Sequence, residues 1–352
     1  MLVPACGDAV AEVEVPNVST CSPAWQPLFA QADGLEPISL ALGDDALWFR
    51  AFEGKVSDPD GGRPFIESIS LQDGQRRTLI EAQVALLWVE GNTLSYSPLG
   101  SPDSLFSVPL AGGAPARTLD ADHHVASSEG FASGLDAQHL YWTERDERPG
   151  DSIAIWRAAR AGGAPERFAT LEELAPSARF WLGREGLIAA GSGKSSLLPL
   201  DGSAARALAE VDAQALGSLS PLGFDGMGTY WSRLIPGSGE PTHKFEIVRA
   251  PATSAALQSF WTEMPTSFAA AALWPDGDSG WWVSGSENFD DGREHTEIWF
   301  VDAAEHGHRW ACDPGGSGGA DLAVPALSAE AGYFVVLAQD ARTWSIVRVP
   351  RQ

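Results

Sequence analysis

No apolar run in these 352 residues approaches the roughly 20 that a membrane-crossing helix needs. Basic residues are scarce: 23 Lys and Arg stand against 47 Asp and Glu, a net charge of −24. A phosphate backbone is held by a basic surface, so this deficit argues against a nucleic-acid partner. Cysteine is scarce too, and three Cys leave one unpaired after any disulfide. No shift of composition marks a linker between domains. The loosest stretch, Gly315–Gly319, falls between two repeats and reads as a loop. No Ser/His/Asp order, Cys–His pair or zinc-binding helix stands out, so the sequence names no catalytic residue.

What is abundant is Trp (14) and Pro (24), which suit many short strands and turns. The stretch Leu135–Leu171 reads as one unit: an Asp turn, a strand at His139–Thr143, a polar loop, a strand at Ala154–Ala158, a Gly-Gly-Ala-Pro turn, and a strand at Arg167–Leu171. The strands follow from period-two alternation and from aromatic and β-branched content. One such unit cannot bury its apolar face, whereas copies side by side can.

The copies are present. Gly-Gly-Ala-Pro recurs at Gly112–Pro115 and Gly162–Pro165. The Leu140-Tyr141-Trp142 position is filled in turn by segments starting at Leu47, Leu94, Leu140, Leu187, Thr229, Trp281 and Tyr333, in steps of 47, 46, 47, 42, 52 and 52. Seven copies of this length predict an all-β fold, a seven-bladed β-propeller, in which radial repetition leaves only short, protected strand edges. Ala24–Gln31 resembles the outer strands at 76–82, 116–122 and 205–211, while the last repeat ends without one. The N-terminal strand is therefore expected to complete the seventh blade as its outer strand and close the ring. This divides the chain into a tether, 1–23, and the propeller, 24–352.

Val3-Pro4-Ala5-Cys6 matches a bacterial lipoprotein cleavage box, although the basic and apolar regions of a signal peptide do not precede it. A start codon placed inside the signal would explain this; a stray Cys on a loose terminus is the other reading. If Cys6 carries lipid, Gly7–Pro23 is a polar tether, and Cys21 and Cys312 remain either to pair or to stand as two buried thiols. On the lipid reading the protein is exported to the periplasm or cell envelope, with the membrane touched only through the anchor.

Leu140-Tyr141-Trp142-Thr143, with Ile155-Trp156-Arg157 and a Gly-rich turn, resembles the repeats of YWTD-type propellers and of bacterial propeller lipoproteins. The likeness spans the ring and is specific in blade three; this chain has seven repeats where the YWTD family has six. WD40 and Kelch signatures are missing. The resemblance implies extracytoplasmic binding or scaffolding and carries over no active-site residue.

One acid recurs in the turn before each of these strands: Asp44, Glu90, Asp136, Glu185, Asp225, Asp276 and Glu330. A set this regular points to turn capping rather than catalysis; a ring-shaped cation site is the alternative. Gly191-Ser192-Gly193-Lys194-Ser195 imitates a phosphate loop but joins two strands and lacks the helix that cradles a phosphate.

The loops joining the first two strands of each unit project to one face. Four are long: Arg50–Pro64, Thr143–Ile153, Ser232–Lys244 and Ser284–Thr296. Loops on a rigid ring are where function concentrates. Loop three holds Glu144, Asp146, Glu147 and Asp151; loop five offers Glu240 and His243; loop six holds Glu287, Asp290, Asp291, Glu294 and His295. Carboxylates with one or two imidazoles could ligate a divalent cation, with calcium the expected ion; a solvated acidic rim is the other reading. Asp58–Gly61 and Asp276–Asp278 echo calcium loops without the rest of their spacing. The function expected is that of a monomeric, exported binding or scaffold protein taking a protein or glycan ligand on the loop face. A metal-dependent lyase acting on peptide or polysaccharide is the alternative.

Overall fold

The computed structural model describes strands and turns between Gln26 and Pro350. Outside the described part lie residues 1–25, 33–37, 54–62, 99–100, 102, 121–130, 146–151, 172–178, 183–185, 192–193, 211–218, 226–227, 236–243, 252–256, 266–267, 278, 289–293, 313–325, 329, 338–342 and 351–352.

The first strand, β1 (Gln26–Ala32), belongs to the last blade. Blade one is β2 (Ile38–Leu42), β3 (Ala46–Glu53), β4 (Arg63–Ser70) and β5 (Arg76–Glu81). Blade two is β6 (Val84–Glu90), β7 (Thr93–Pro98), β8 (Ser104–Pro109) and β9 (Ala116–Asp120). Blade three is β10 (Phe131–Leu135), β11 (His139–Arg145), β12 (Ile153–Ala159) and β13 (Glu166–Leu171). Blade four is β14 (Arg179–Leu182), β15 (Gly186–Gly191), β16 (Lys194–Pro199) and β17 (Arg206–Glu210). Blade five is β18 (Leu219–Phe224), β19 (Gly228–Ile235), β20 (Lys244–Pro251) and β21 (Gln258–Phe260). Blade six is β22 (Phe268–Pro275), β23 (Gly280–Asn288), β24 (Glu294–Asp302) and β25 (Gly307–Cys312). Blade seven is β26 (Ala326–Leu327), β27 (Ala331–Leu337) and β28 (Thr343–Pro350), with β1 outermost.

This is the seven-bladed propeller expected from the repeats, and β1 closes it by pairing antiparallel with β28. One detail makes β1 equivalent to the fourth strands elsewhere. In blades one, two, three, four and six the pairing of third and fourth strands slips by one residue, at Ile66/Glu67, Leu105/Phe106, Ile155/Trp156, Ser195/Ser196 and Ile298/Trp299. The β1–β28 pair carries the same slip, skipping Leu28 opposite Ile346 and Val347. Such bulges deepen the local twist, and the closing strand shares it.

In each blade an innermost strand precedes the repeating unit's first strand, which is the blade's second. Two expectations are corrected. The seventh repeat is offset by one. Tyr333, not Phe334, lies opposite Arg348, as Tyr141 lies opposite Arg157 and Tyr230 opposite Arg249, so the copy starts at Gly332. The packing agrees: Tyr333 and Val335 join the blade-one cluster, while Phe334 packs on Trp274 and Trp282 of blade six. A one-residue shift swaps every side chain to the opposite face, and Tyr-Phe-Val-Val, apolar on both faces, has no alternation to fix the phase. Lastly, the long loops are shorter than their polar sequences suggest. The β23–β24 ladder runs on to Glu287↔His295 and Asn288↔Glu294, and β11 carries Glu144 opposite Ala154. Near the loop face apolar alternation fades while backbone pairing continues.

The core lies in the seams between blades. Leu47, Phe49, Phe29, Tyr333 and Ile346 fill the seam at the closure. Tyr230, Phe260, Trp261, Phe268 and Val283 fill the seam of blades five and six. Blades converge on the axis, so their innermost strands approach closest there. A Cβ on Gly223 of β18 would overlap the Leu273 carbonyl of β22. Gly134 of β10 holds the same register place, opposite Tyr141 as Gly223 is opposite Tyr230, and a Cβ there would lie 2.9 Å from Leu182 Cβ of blade four.

Phe29 is 6% exposed, sits 4.9 Å from the Phe49 ring and lies under the Arg76 guanidinium at 4.6 Å. Truncating it empties the closing seam, so Phe29→Ala is expected to cost about 3–5 kcal/mol in urea unfolding. A chain starting at Gly34, which loses β1, should melt far below the full chain. Unchanged melting of either variant would show that closure does not hold the ring.

Candidate functional site

Antiparallel blades place their short turns on one face and their second-to-third hairpins, with the crossovers between blades, on the other. The recurring acids sit on the turn face, and the structure shows what several of them do. Asp136 Oδ1 accepts the backbone N–H groups of Gln138 and His139, both at 2.6 Å, and Oδ2 accepts the Tyr141 hydroxyl at 2.9 Å. Asp225 repeats this, with Gly228 N–H at 2.9 Å, the Tyr230 hydroxyl at 2.6 Å and Arg249 at 3.2 Å. In blade six the Trp282 indole takes the tyrosine's part and donates to Asp276 at 3.1 Å. Burial first, and then the hydrogen bond to the turn acid, push the Tyr141 and Tyr230 phenols well above their ordinary value.

Glu90 serves the seam instead. Both its oxygens accept from Arg160 of blade three, at 3.0 and 2.9 Å, and Arg160 also donates to the Asp136 carbonyl. That guanidinium holds the Glu90 carboxyl below its usual value. In blade seven Ser328 replaces the acid, accepting the N–H groups of Glu330 and Ala331. Glu185 lies outside the described residues. Capping accounts for Asp136 and Asp225, while Glu90 is engaged by Arg160 and Asp276 by Trp282. Other arginines tie neighbouring turns together: Arg77 donates to the Leu110 carbonyl, and Arg157, at the next comparable seam, to the Leu200 carbonyl at 2.8 Å. An open groove of about 610 Å³ between blades one and two is lined by Trp48, Ser68, Asp73, Arg76, Arg77 and Asn92. Its arginines are already engaged, Arg77 with Leu110 and Arg76 with Glu67 at 2.5 Å.

Three members of the expected ligand set, Glu287, Glu294 and His295, are described. Glu287 and His295 are direct register partners at the end of the β23–β24 hairpin, and Glu294 is the partner of Asn288. Asp290 and Asp291 lie outside the described residues, between those strand ends. Glu240 and His243 also lie outside, between Ile235 and Lys244, which pair at the end of the neighbouring β19–β20 hairpin. The described strand ends that flank the two halves of the set thus belong to adjacent hairpins on one face. Among the described residues no three of His, Cys, Asp or Glu come together as a metal-holding group. Cys312 ends β25 opposite Glu297, while Cys6 and Cys21 lie outside the described residues. Within blade six, the fully buried Glu297 accepts Trp299 Nε1 at 2.6 Å and Arg309 at 3.0 Å, a structural engagement. The phosphate-loop imitation is a strand hairpin, and its Ser195 hydroxyl bonds Thr229 at 3.1 Å.

Sequence reasoning missed one residue. Arg179 begins β14, the innermost strand of blade four, at its loop-face end, and donates at 3.1 Å to the carbonyl of Ala271 on the innermost strand of blade six. The bond bypasses blade five, so the side chain lies across the central channel. Ala271 is the residue skipped by the bulge in the β22–β23 pairing. No motif signals this contact, because it joins residues 92 apart that only the closed ring brings together.

No family model and no curated protein matches this chain. Solved structures do. YCF48 from Cyanidioschyzon merolae aligns with a TM-score of 0.58 at 10% identity, over 93% of this chain and 98% of its own. A PL25 ulvan lyase bound to a GlcA–Rha3S saccharide aligns with a TM-score of 0.58 at 10% identity, over 93% and 96%. The acylaminoacyl peptidase of Pyrococcus horikoshii aligns with a TM-score of 0.52 at 11% identity, over 88% of this chain and 49% of its own. At these identities the likeness shows the propeller fold and no more.

Two substitutions test the assignment of the turn acids. Tyr230→Phe removes a charge-assisted hydrogen bond inside the seam and is expected to cost about 2 kcal/mol. Glu90 is 54% exposed, so Glu90→Gln should cost below about 1 kcal/mol. Because the folded carboxyl is depressed below 4.5, its contribution is full above that pH and lost as pH falls through the folded value. The Glu90→Gln deficit should therefore be present at neutral pH and absent well below pH 4.5 in denaturant titrations. A deficit independent of pH would contradict the Arg160 clamp.

Proposed function

We propose that this chain is an exported, non-enzymatic binding or scaffold propeller that takes a protein or glycan ligand on its acidic loop face. The observation that carries the reading is the inequality of the two faces. On the turn face the described acids Glu90, Asp136, Asp225 and Asp276 are engaged within their own or neighbouring turns. The described strand ends that flank the sequence segments bearing Asp146, Glu147, Asp151, Glu240, Asp290 and Asp291 belong to the opposite face. A rigid ring offering variable loops on one side suits recognition. The likeness of blade three to YWTD-type repeats, together with the Val3–Cys6 box, supports an extracytoplasmic site of action, with lipid on Cys6 and residues 7–23 as the tether. Two acyl chains or more on that cysteine would anchor firmly where one would not.

A second reading is favoured by one observation, the register pairing of Glu287 with His295 beside the hairpin that bears Glu240 and His243. On that reading these residues, with Asp290, Asp291 and Glu294, hold a divalent cation such as calcium and serve a lyase. The ulvan lyase shares the ring and lends no residue to this chain.

Capture from a native envelope extract separates the readings. The binding reading expects a retained protein or glycan that is lost when the acids of the 289–293 hairpin are neutralised and unaffected by Glu90→Gln. Retention that ignores both changes would contradict it. For the metal, ligation raises the melting temperature by mass action. Millimolar calcium should raise melting and chelation reverse it; no shift in either direction would remove calcium from the account.

A further inference from the structure

Among the described residues Arg179 has a single hydrogen-bond partner. Of the five N–H donors a guanidinium carries, the Ala271 carbonyl is the partner of one. Among the described residues no carboxylate pairs with it. Burial pushes its guanidinium below the ordinary arginine value. Several other arginines of the ring differ, although Arg50 and Arg77, like Arg179, donate to carbonyls. Arg157, Arg160, Arg233, Arg249 and Arg309 each meet an acid.

Its place is well determined. The next residues, Phe180 and Trp181, pack into the seams on either side of blade four. Arg179 lies opposite Ala190, in the layer that also contains Arg50, Ser97, Thr143, Ser232 and Ser284, toward the loop-face end of the second strands. A half-buried, positively charged fork whose other donors meet no partner among the described residues, held across a channel mouth, matches an oxyanion, which accepts two parallel N–H···O bonds.

We propose that Arg179 is an anion subsite at the loop-face mouth of the channel, receiving a carboxylate or sulfate group of the ligand. The assignment of a ligand to that face rests on the proposed function; the anion site itself is tested without it. The full chain, labelled with nitrogen-15 in its arginine side chains, is titrated with acetate and separately with sulfate at constant ionic strength against chloride. The Arg179 Nε–H signal, identified by its loss in Arg179→Lys, should move saturably with a dissociation constant on the order of millimolar. The anion that saturates at lower concentration identifies the group. A signal unmoved by both anions, or moving linearly without saturation, overturns the proposal.

Arg179→Gln keeps a donor for Ala271 and removes the charge, and calorimetry should show at least about tenfold weaker anion binding, roughly 1.4 kcal/mol. Binding equal to wild type overturns the proposal. Should this variant not fold, the wild-type titration decides. Saturable anion binding without any captured envelope partner would remove the loop-face function and leave the subsite standing. A captured partner with no anion binding would do the reverse.

Discussion

The pairing of β1 with β28 is the constraint on which the rest depends. Six blades and three strands of a seventh would leave β28 with an open edge, and an open edge pairs with whatever strand it meets. Residues 26–32 cover that edge, reproduce the fourth-strand bulge, and place Phe29 against Phe49 of blade one. The seam between first and last blades then becomes like the others, filled by Leu47, Phe49, Tyr333 and Ile346. Closure also fixes the width of the channel. In the closed ring Leu273 and Gly223 meet without room for a methyl group, and Arg179 reaches Ala271 past blade five.

The two faces divide the work. Turn acids that recur with the repeat are consumed locally, Asp136 and Asp225 by their own turn amides and by a tyrosine two places into the strand that follows. The tyrosine and the acid each satisfy a group that would be costly to bury unpaired. Arginines then cross from blade to blade, Arg160 to Glu90 and Arg157 to the Leu200 carbonyl, so the turn face is stitched rather than available. The hairpins on the other side differ in sequence from blade to blade.

The fold is legible in the sequence because its signals are local and repeated. Leu140-Tyr141-Trp142 and its copies alternate clearly, and AWQPLFAQ at 24–31 resembles the outer strands closely enough to foretell closure. Legibility fails where alternation fails. Tyr333-Phe334-Val335 is apolar on both faces, so its pattern leaves the phase open by one residue. Glu287, Glu294 and His295 read as loop because polarity hides a backbone ladder that continues beneath it. Arg179 is illegible for a different reason: its meaning lies in a partner 92 residues away across the axis, and nothing in Arg-Phe-Trp-Leu announces it. The acidic hairpin set is legible only as composition, since its groups come from separate hairpins.

If closure is the keystone, the strands that close the ring should open only when the whole ring opens. Native-state hydrogen exchange reads this directly. The amides that pair Phe29 with Ile346 and Ala30 with Ser345 should exchange with the same free energy, and the same denaturant dependence, as the central strands β11 and β19, the signature of one cooperative unit. If the β1 amides exchanged rapidly while β11 and β19 stayed protected, the ring would persist with its closing strand undone, and closure would not be what holds the propeller together.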